Sequence, residues 1–423
     1  MLGDLRLLRD RRFALLFSAR SISVIGTVMA PVALAFAVLD LPGATPTTLG
    51  LVLASYGLAL VLFVLLGGVF ADRFPRYRVL IGSELLAALT GLTLATLFLT
   101  GTAPLPVLMV VVFLHGVAGA MFYPAFAGII PQVVPNEQLP AANGLLRLTF
   151  NGARITGLAF AGALITAVGP GWALAADAAT YLISAALLAG VRVPKTKAGS
   201  GASMLADLRE GWQEFASRQW IWVIVLQFSI VNAAFAAGFG VYGPVIAKQD
   251  LGGAAGWSAV LVAQAAGMFL GVLVAMRIRP RRPMLIATLA VFPYAVPVLL
   301  LGTDVPLAVL ITAAFLAGVS VDIFSVLWDT TLQRHVPGEA LSRVSAYDML
   351  GSFMVGPLGM LLAGPAAAVV GVKAAAFGCG ALMVAVTALA LLSPQVRRLP
   401  AAMPTGGATT PRAHEPTSTT GPL

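Results

Sequence analysis

Asp322, Arg20 and Arg154 each interrupt a long apolar run. Charge placed in such a run is costly, so each of these residues needs a partner or a function. On a helix, Arg20 shares a face with Ser23 and Thr27, and Arg154 ends a stripe begun by Asn143, Arg147 and Asn151. Asp322, Ser325 and Asp329 form a third stripe, and Ser345, Asp348 and Ser352 a fourth. At about 1.5 Å of rise per residue, Arg20, Arg154 and Asp322 fall at similar depth. Desolvation drives a carboxyl group toward its neutral acid, and a nearby guanidinium drives it toward the anion. That competition is chemistry for binding and releasing a proton. Asp322 is the leading proton-responsive group, with Arg20 and Arg154 as the charges that move toward it or away. The plainer alternative is a permanent ion pair. His115, in "FLHGVAGAMF", is a further proton-relay candidate or a histidine bonded to a carbonyl.

The frame that must position these groups is a membrane. The chain has 423 residues, 59% of them hydrophobic and only 10% charged. A soluble domain carries about 25% charged residues. Apolar runs of about 20 residues recur along the length. Between polar breaks they give twelve spans, at 13–39, 48–71, 77–100, 106–130, 142–168, 172–191, 219–246, 256–276, 283–302, 305–329, 342–370 and 373–393. The basic opening Met1–Arg12 and the over-long run after it do not read as a cleavable leader. A lone Cys379 excludes a disulfide framework and a multi-cysteine metal site, so neither metal nor cofactor is expected.

The breaks alternate in charge. One set carries Arg6, Arg9, Arg11 and Arg12, then Arg73, Arg76 and Arg78, and so on to Arg397 and Arg398; the other holds only Lys248 and Lys373. Basic loops stay in the cytoplasm, which places both termini there. The net charge of +9 is thus a topology signal and not a nucleic-acid footprint. The longest internal break, 192–218, contains "MLADLREGWQEFASRQW", which reads as an amphipathic helix on the inner membrane surface. It divides the chain into an N-terminal bundle at 1–191 and a C-terminal bundle at 219–393. The Pro-, Thr- and Gly-rich tail, 394–423, reads as disordered.

The halves are related. Phe122–Gly169 aligns without gaps to Phe324–Gly371, sharing a "VP-x-E-x-L" loop and the pairs Gly157/Gly359, Gly162/Gly364 and Gly169/Gly371. Two six-span repeats with a site at their interface are the plan of many secondary transporters. The expected fold is therefore an all-α membrane protein of two pseudo-symmetric six-helix bundles.

Between spans 2 and 3 stands "GGVFADRFPRYRVL". It is similar to the loop signature G-x-x-x-D-R-x-G-R-[RK] of the major facilitator superfamily. Gly68, Asp72, Arg73 and Arg76 match; Pro75 replaces the second glycine, and the last basic residue falls one place late at Arg78. The resemblance implies that this loop latches the inner side shut during alternating access. "FYPAFAGIIPQVVPNEQLPAANGL" and "WDTTLQRHVPGEALSRVSAYDMLGSFMVGPLGMLLAGP" resemble the branch that holds macrolide-efflux proteins and the enterobactin exporter. That implies proton-driven export of a small amphiphilic molecule by a monomer in lipid. Span 1 departs from the branch with Thr27 where Asp is frequent, and span 5 reads "GLAFAG", with Leu158 where the antiporter pattern has Pro. His115 stands where the drug-antiporter motif would put an Arg. Arg147, Asp329 and Asp348, nearer the cytoplasmic ends, are inner-gate candidates. Asp177 and Glu84, in spans that are peripheral in the superfamily, are read as structural.

Substrate contacts should be apolar and aromatic with few polar anchors. The candidates are Phe122, Gln227, Asn232, Phe235, Gln264, Met268, Phe324 and Trp328. No phosphate-binding G-x-x-x-x-G-K-[ST] loop and no H-E-x-x-H occurs, which speaks against an ATP-driven pump and a zinc enzyme. A nucleophile near a base is represented only by Ser325 near Asp322. Uptake of a metabolite or lipid is the second transport reading. A transport-dead sensor or scaffold is the third, though it would not need the buried charges.

Overall fold

The computed structural model describes residues 4–191 and 212–401. Twelve helices are long and apolar enough to cross a membrane, and no strand occurs among the described residues. In chain order they are α1 (Arg11–Leu39), α2 (Pro46–Arg73), α3 (Arg76–Leu99), α4 (Leu105–Val133), α5 (Leu139–Val168) and α6 (Pro170–Ala189). There follow α7 (Gln219–Asp250), α8 (Gly253–Ala275), α9 (Pro283–Leu301), α10 (Leu307–His335), α11 (Gly338–Phe353 and Gly356–Val370) and α12 (Val372–Ala390). With no water to satisfy backbone groups, a spanning segment must close its own hydrogen bonds, and helices do so. An even number of crossings puts both described ends on one face, here called the termini face; the opposite one is the far face.

α1–α6 pack among themselves and α7–α12 do likewise, with α5 against α8 and α2 against α11 joining the two bundles. Lipid offers no hydrophobic drive for helix association, so contacts rely on small residues that let backbones approach. The paired glycines of the repeat do this at equivalent places. Gly157 lies on the Ile25 carbonyl of α1, and Gly359 on the Ala233 carbonyl of α7. Gly162 meets Ser258 of α8, and Gly364 meets Thr47 of α2. Gly169 and Gly371 end α5 and α11 at φ 92° and 84°, a left-handed region that favours glycine. Val134 and Val336, each before a proline, turn extended at the ends of α4 and α10.

Two helices are irregular. α7 contains a π-helical stretch at Ala236–Tyr242, where Gly238 abuts Val298 and Gly243 lies on the ring of the buried Trp257. The stretch lets Phe239 stack on Phe235 at 4.6 Å and lie 5.1 Å from Trp257. α11 breaks between Phe353 and Gly356. The tail expected to be disordered from Pro394 instead opens with a short helix, Pro394–Arg398, anchored where Gln395 Oε1 accepts from the Trp220 backbone N–H at 3.2 Å. Most of the expected amphipathic segment, at 192–211, lies outside the described residues, as does 402–423. Its last part does not: residues 212–216 are helical, and Trp212 and Phe215 contact Tyr347 of α11 at 5.6 and 5.9 Å.

Candidate functional site

A cavity of about 450 Å³ lies between the bundles. Its first wall is Arg20 of α1, Phe126 and Ile130 of α4, and Asn143, Leu146, Arg147, Phe150, Asn151 and Arg154 of α5; Ala265, Met268 and Val272 of α8 and Asp322 of α10 form the second. All come from the halves of their helices that run to the termini face. Toward the far face the bundles close. Gly50 lies on the Met360 carbonyl and Gly57 on Pro357, beside the Gly162 and Gly364 contacts. Lys248 Nζ reaches across to Asp40 Oδ1 and Leu39 O, each at 2.6 Å. Lys373 pairs with Asp304 and Asp250 at 2.6 and 2.8 Å, so both lysines of the basic-poor loops are ion-paired.

The structure brings Arg20, Arg154 and Asp322 to one cavity. Arg154 lies within electrostatic reach of Asp322 and of Tyr294. Asp322 reaches α8 as well, since its Cβ sits against Gly271. The Arg20 guanidinium lies among four rings, 5.1 Å from Phe122, 5.3 Å from Phe126, 5.9 Å from Tyr123 and 6.0 Å from Phe150. Rings at such distances attract a cation through their quadrupoles. Ser325 Oγ donates to Val321 O at 3.0 Å within its own helix, so its proton is already engaged.

His115 is not in this cavity. It lies behind it in the first bundle, sharing a 2.9 Å hydrogen bond between Nδ1 and Thr90 Oγ1, with its ring 5.7 Å from Tyr181 and 6.1 Å from Tyr56. It lines a second space of about 30 Å³ with Arg20, Ser23, Thr27, Tyr56, Glu84 and Tyr181. Arg20 alone among the described ionisable groups walls both spaces. Glu84 therefore belongs beside the candidate site and not to a peripheral helix face. Its charge inside span 3 is the sequence signal for such a place, while the structural reading rests on the span being peripheral in the superfamily.

Of the gate candidates, Arg147 and Asp329 are exposed and lie within electrostatic reach across the two bundles. Asp348 is held within the second bundle, accepting from Trp328 Nε1 at 2.9 Å and Ser352 Oγ at 3.2 Å. Of the latch, Arg73 is exposed, and Arg76 Nη1 donates to the Gly128 carbonyl, tying α3 to α4. Gly68 belongs to α2, and the side chain of Asp72 lies outside what the structure describes.

Among the eight expected substrate contacts, Met268 lines the large cavity and Phe122 the small space. The other six are absent from the large cavity's lining, because packing in the second bundle uses them. Gln227 donates to Thr387 Oγ1 at 3.1 Å, and Asn232 to Ser352 O at 2.9 Å. Phe235 stacks on Tyr294 at 4.6 Å, Phe324 on Phe228 at 4.1 Å, and Trp328 lies 5.5 Å from Trp220. Gln264 is buried, with Gly318 packed on its carbonyl.

The model of the Major Facilitator Superfamily matches residues 13–360. The chain belongs to that superfamily. It is 25% identical over 353 residues to the uncharacterized MFS-type transporter YkuC of Bacillus subtilis, covering 80% of this chain and 81% of that protein. It is 22% identical to macrolide efflux protein A of Streptococcus pyogenes, over 78% of this chain and 84% of that one. In fold it is similar to the nucleoside transporter NupG, with a TM-score of 0.72 at 14% identity over 90% of this chain and 98% of the other. A superfamily member of twelve spans is a membrane transporter, and the relatives it matches carry the names of transporters and efflux proteins.

Proposed function

We propose that this superfamily member is a proton-coupled exporter of a small amphiphilic molecule in a bacterial inner membrane. It works as a monomer by alternating access, with the termini face in the cytoplasm. The observation that carries the reading is the cavity itself: apolar and aromatic walls mixed with six polar or charged residues, among them the Arg154–Asp322 pair on opposite bundles. A substrate enters from the termini face while the far-face contacts hold. Protonation of Asp322 would remove the attraction between the bundles at that depth and let them rock about the site. Similarity to macrolide efflux protein A supports the direction of transport. The rim pair Arg147–Asp329 acts as an inner gate, and the α2–α3 loop with Arg73 and Arg76 as its latch.

The test is retention of a fluorescent amphiphilic cation and of a labelled macrolide in cells lacking their main efflux pumps. Each is followed with and without a protonophore, beside Asp322→Asn. Protonophore-sensitive efflux that the variant loses is expected. Equal retention in expressing and empty cells rejects broad multidrug export and favours a narrow substrate or uptake.

A further inference from the structure

Glu84 and Asp177 are 2% and 1% exposed, the two most buried carboxyl groups described. They lie within electrostatic reach of each other, on α3 and α6. Ser184 Oγ donates to Glu84 Oε1 at 2.9 Å, and Thr180 Oγ1 turns away to the Asp177 carbonyl. Glu84 Oε2 and Asp177 Oδ1 have no hydrogen-bond partner among the described residues. Glu84 lines the 30 Å³ space, large enough for about one water. Asp177 Oδ1 is pressed toward Gly26 of α1, where any side chain would strike it.

A buried carboxylate without donors is among the costliest groups a protein can hold, and it takes up a proton before it stays charged. Glu84 faces this space with one donor, Asp177 lies behind it with an unpartnered oxygen toward α1, and the charged and titratable groups around them can be named helix by helix. α1 supplies Arg20, α2 Tyr56, α4 His115 and Tyr123, and α6 Tyr181 beside Asp177. Arg147 and Arg154 of α5 face the large cavity instead. One permanent cation, Arg20, thus lies within electrostatic reach of Glu84.

We infer that Glu84 and Asp177 form a proton-binding site inside the first bundle, holding one proton between them while Arg20 balances the remaining charge. Arg20 also walls the large cavity, so occupancy of this site and of the cavity are linked through one side chain. When the proton leaves to water, a second negative charge appears and Arg20 is drawn toward it, out of its ring of Phe122, Phe126 and Phe150. When the proton returns, Arg20 relaxes onto the rings. The use of this movement in transport rests on the proposed export function; the proton site itself does not.

Infrared spectra of the purified full chain in H2O and D2O at neutral pH test it without any substrate. All variants are made in the Asp322→Asn background, so that the cavity acid contributes nothing. A protonated-carboxyl C=O band that moves down in D2O is expected. Asp177→Asn abolishes it, because Glu84 then has Arg20 to itself, whereas Glu84→Gln keeps it, because the proton rests on Asp177, away from Arg20. Arg20→Gln instead raises it about twofold, because both acids must then be neutral. The two acid substitutions keep the shape of the group they replace, and a thermal melt matching the parent's certifies the fold of all three variants. A band that Asp177→Asn retains overturns the site, and so does its absence from the parent. Failure of the efflux assay would leave these spectra as they are.

Discussion

Asp322 is half-buried at the wall of the main cavity, with Arg154 as its cationic neighbour from the other bundle. Replacing it by Asn keeps the shape and removes the charge. Arg154 then loses a partner, a cost of about 1–3 kcal/mol, which is about tenfold in any step that uses the pair. Asp322→Asn should therefore flatten the pH dependence of efflux and cut its protonophore-sensitive part about tenfold; an unchanged pH slope sinks the assignment. Trp328→Phe removes the donor to Asp348 without touching the cavity. It should lower thermal stability by about 1 kcal/mol and leave the pH profile in place; a moved profile would return Asp348 to the gate. The depth shared by Arg20, Arg154 and Asp322 was legible from residue counting, because helical rise is constant. The aromatic contacts of Arg20 and the pairing of Glu84 with Asp177 were not. They depend on how α1, α3, α4 and α6 are rotated against one another, which spacing along one helix does not encode.

The repeat does its work as helix contacts. Gly162 and Gly364 occupy equivalent places in α5 and α11 and let each helix close on the opposite bundle, at Ser258 and Thr47. A leucine at either position wedges the far-face seal, and overpacking of this kind costs about 1–3 kcal/mol. Gly162→Leu and Gly364→Leu should thus shift the population toward far-face opening about tenfold. Spin-label distances between Thr102 and Thr303, exposed on that face in opposite bundles, would report it once Cys379 is replaced. Distributions identical to the parent would mean the two glycines are not the seal. Span limits were legible to within a few residues, since hydropathy and turn residues mark them. The π-helical stretch of α7 and the break in α11 were not. Both are local departures set by neighbours such as Val298 and Trp257.

Seen as one molecule, the chain presents a cavity at the termini face and a seal at the far face, with the Lys248–Asp40 bridge at its edge. That bridge is about half exposed, and exposed pairs contribute about 0–1 kcal/mol. Lys248→Ala should therefore loosen the far face less than Gly364→Leu in the same distance measurement; the reverse order would make the bridge, and not the helix contact, the seal. The proposed activity is exchange of protons for an amphiphilic molecule across a membrane. Purified protein in liposomes holding the fluorescent cation, with a proton gradient imposed, tests it most directly. Transport of the cation against the proton flow that stops with a protonophore and with Asp322→Asn is the predicted result. Equal movement in protein-bearing and protein-free liposomes, whatever substrate or gradient is applied, would contradict it.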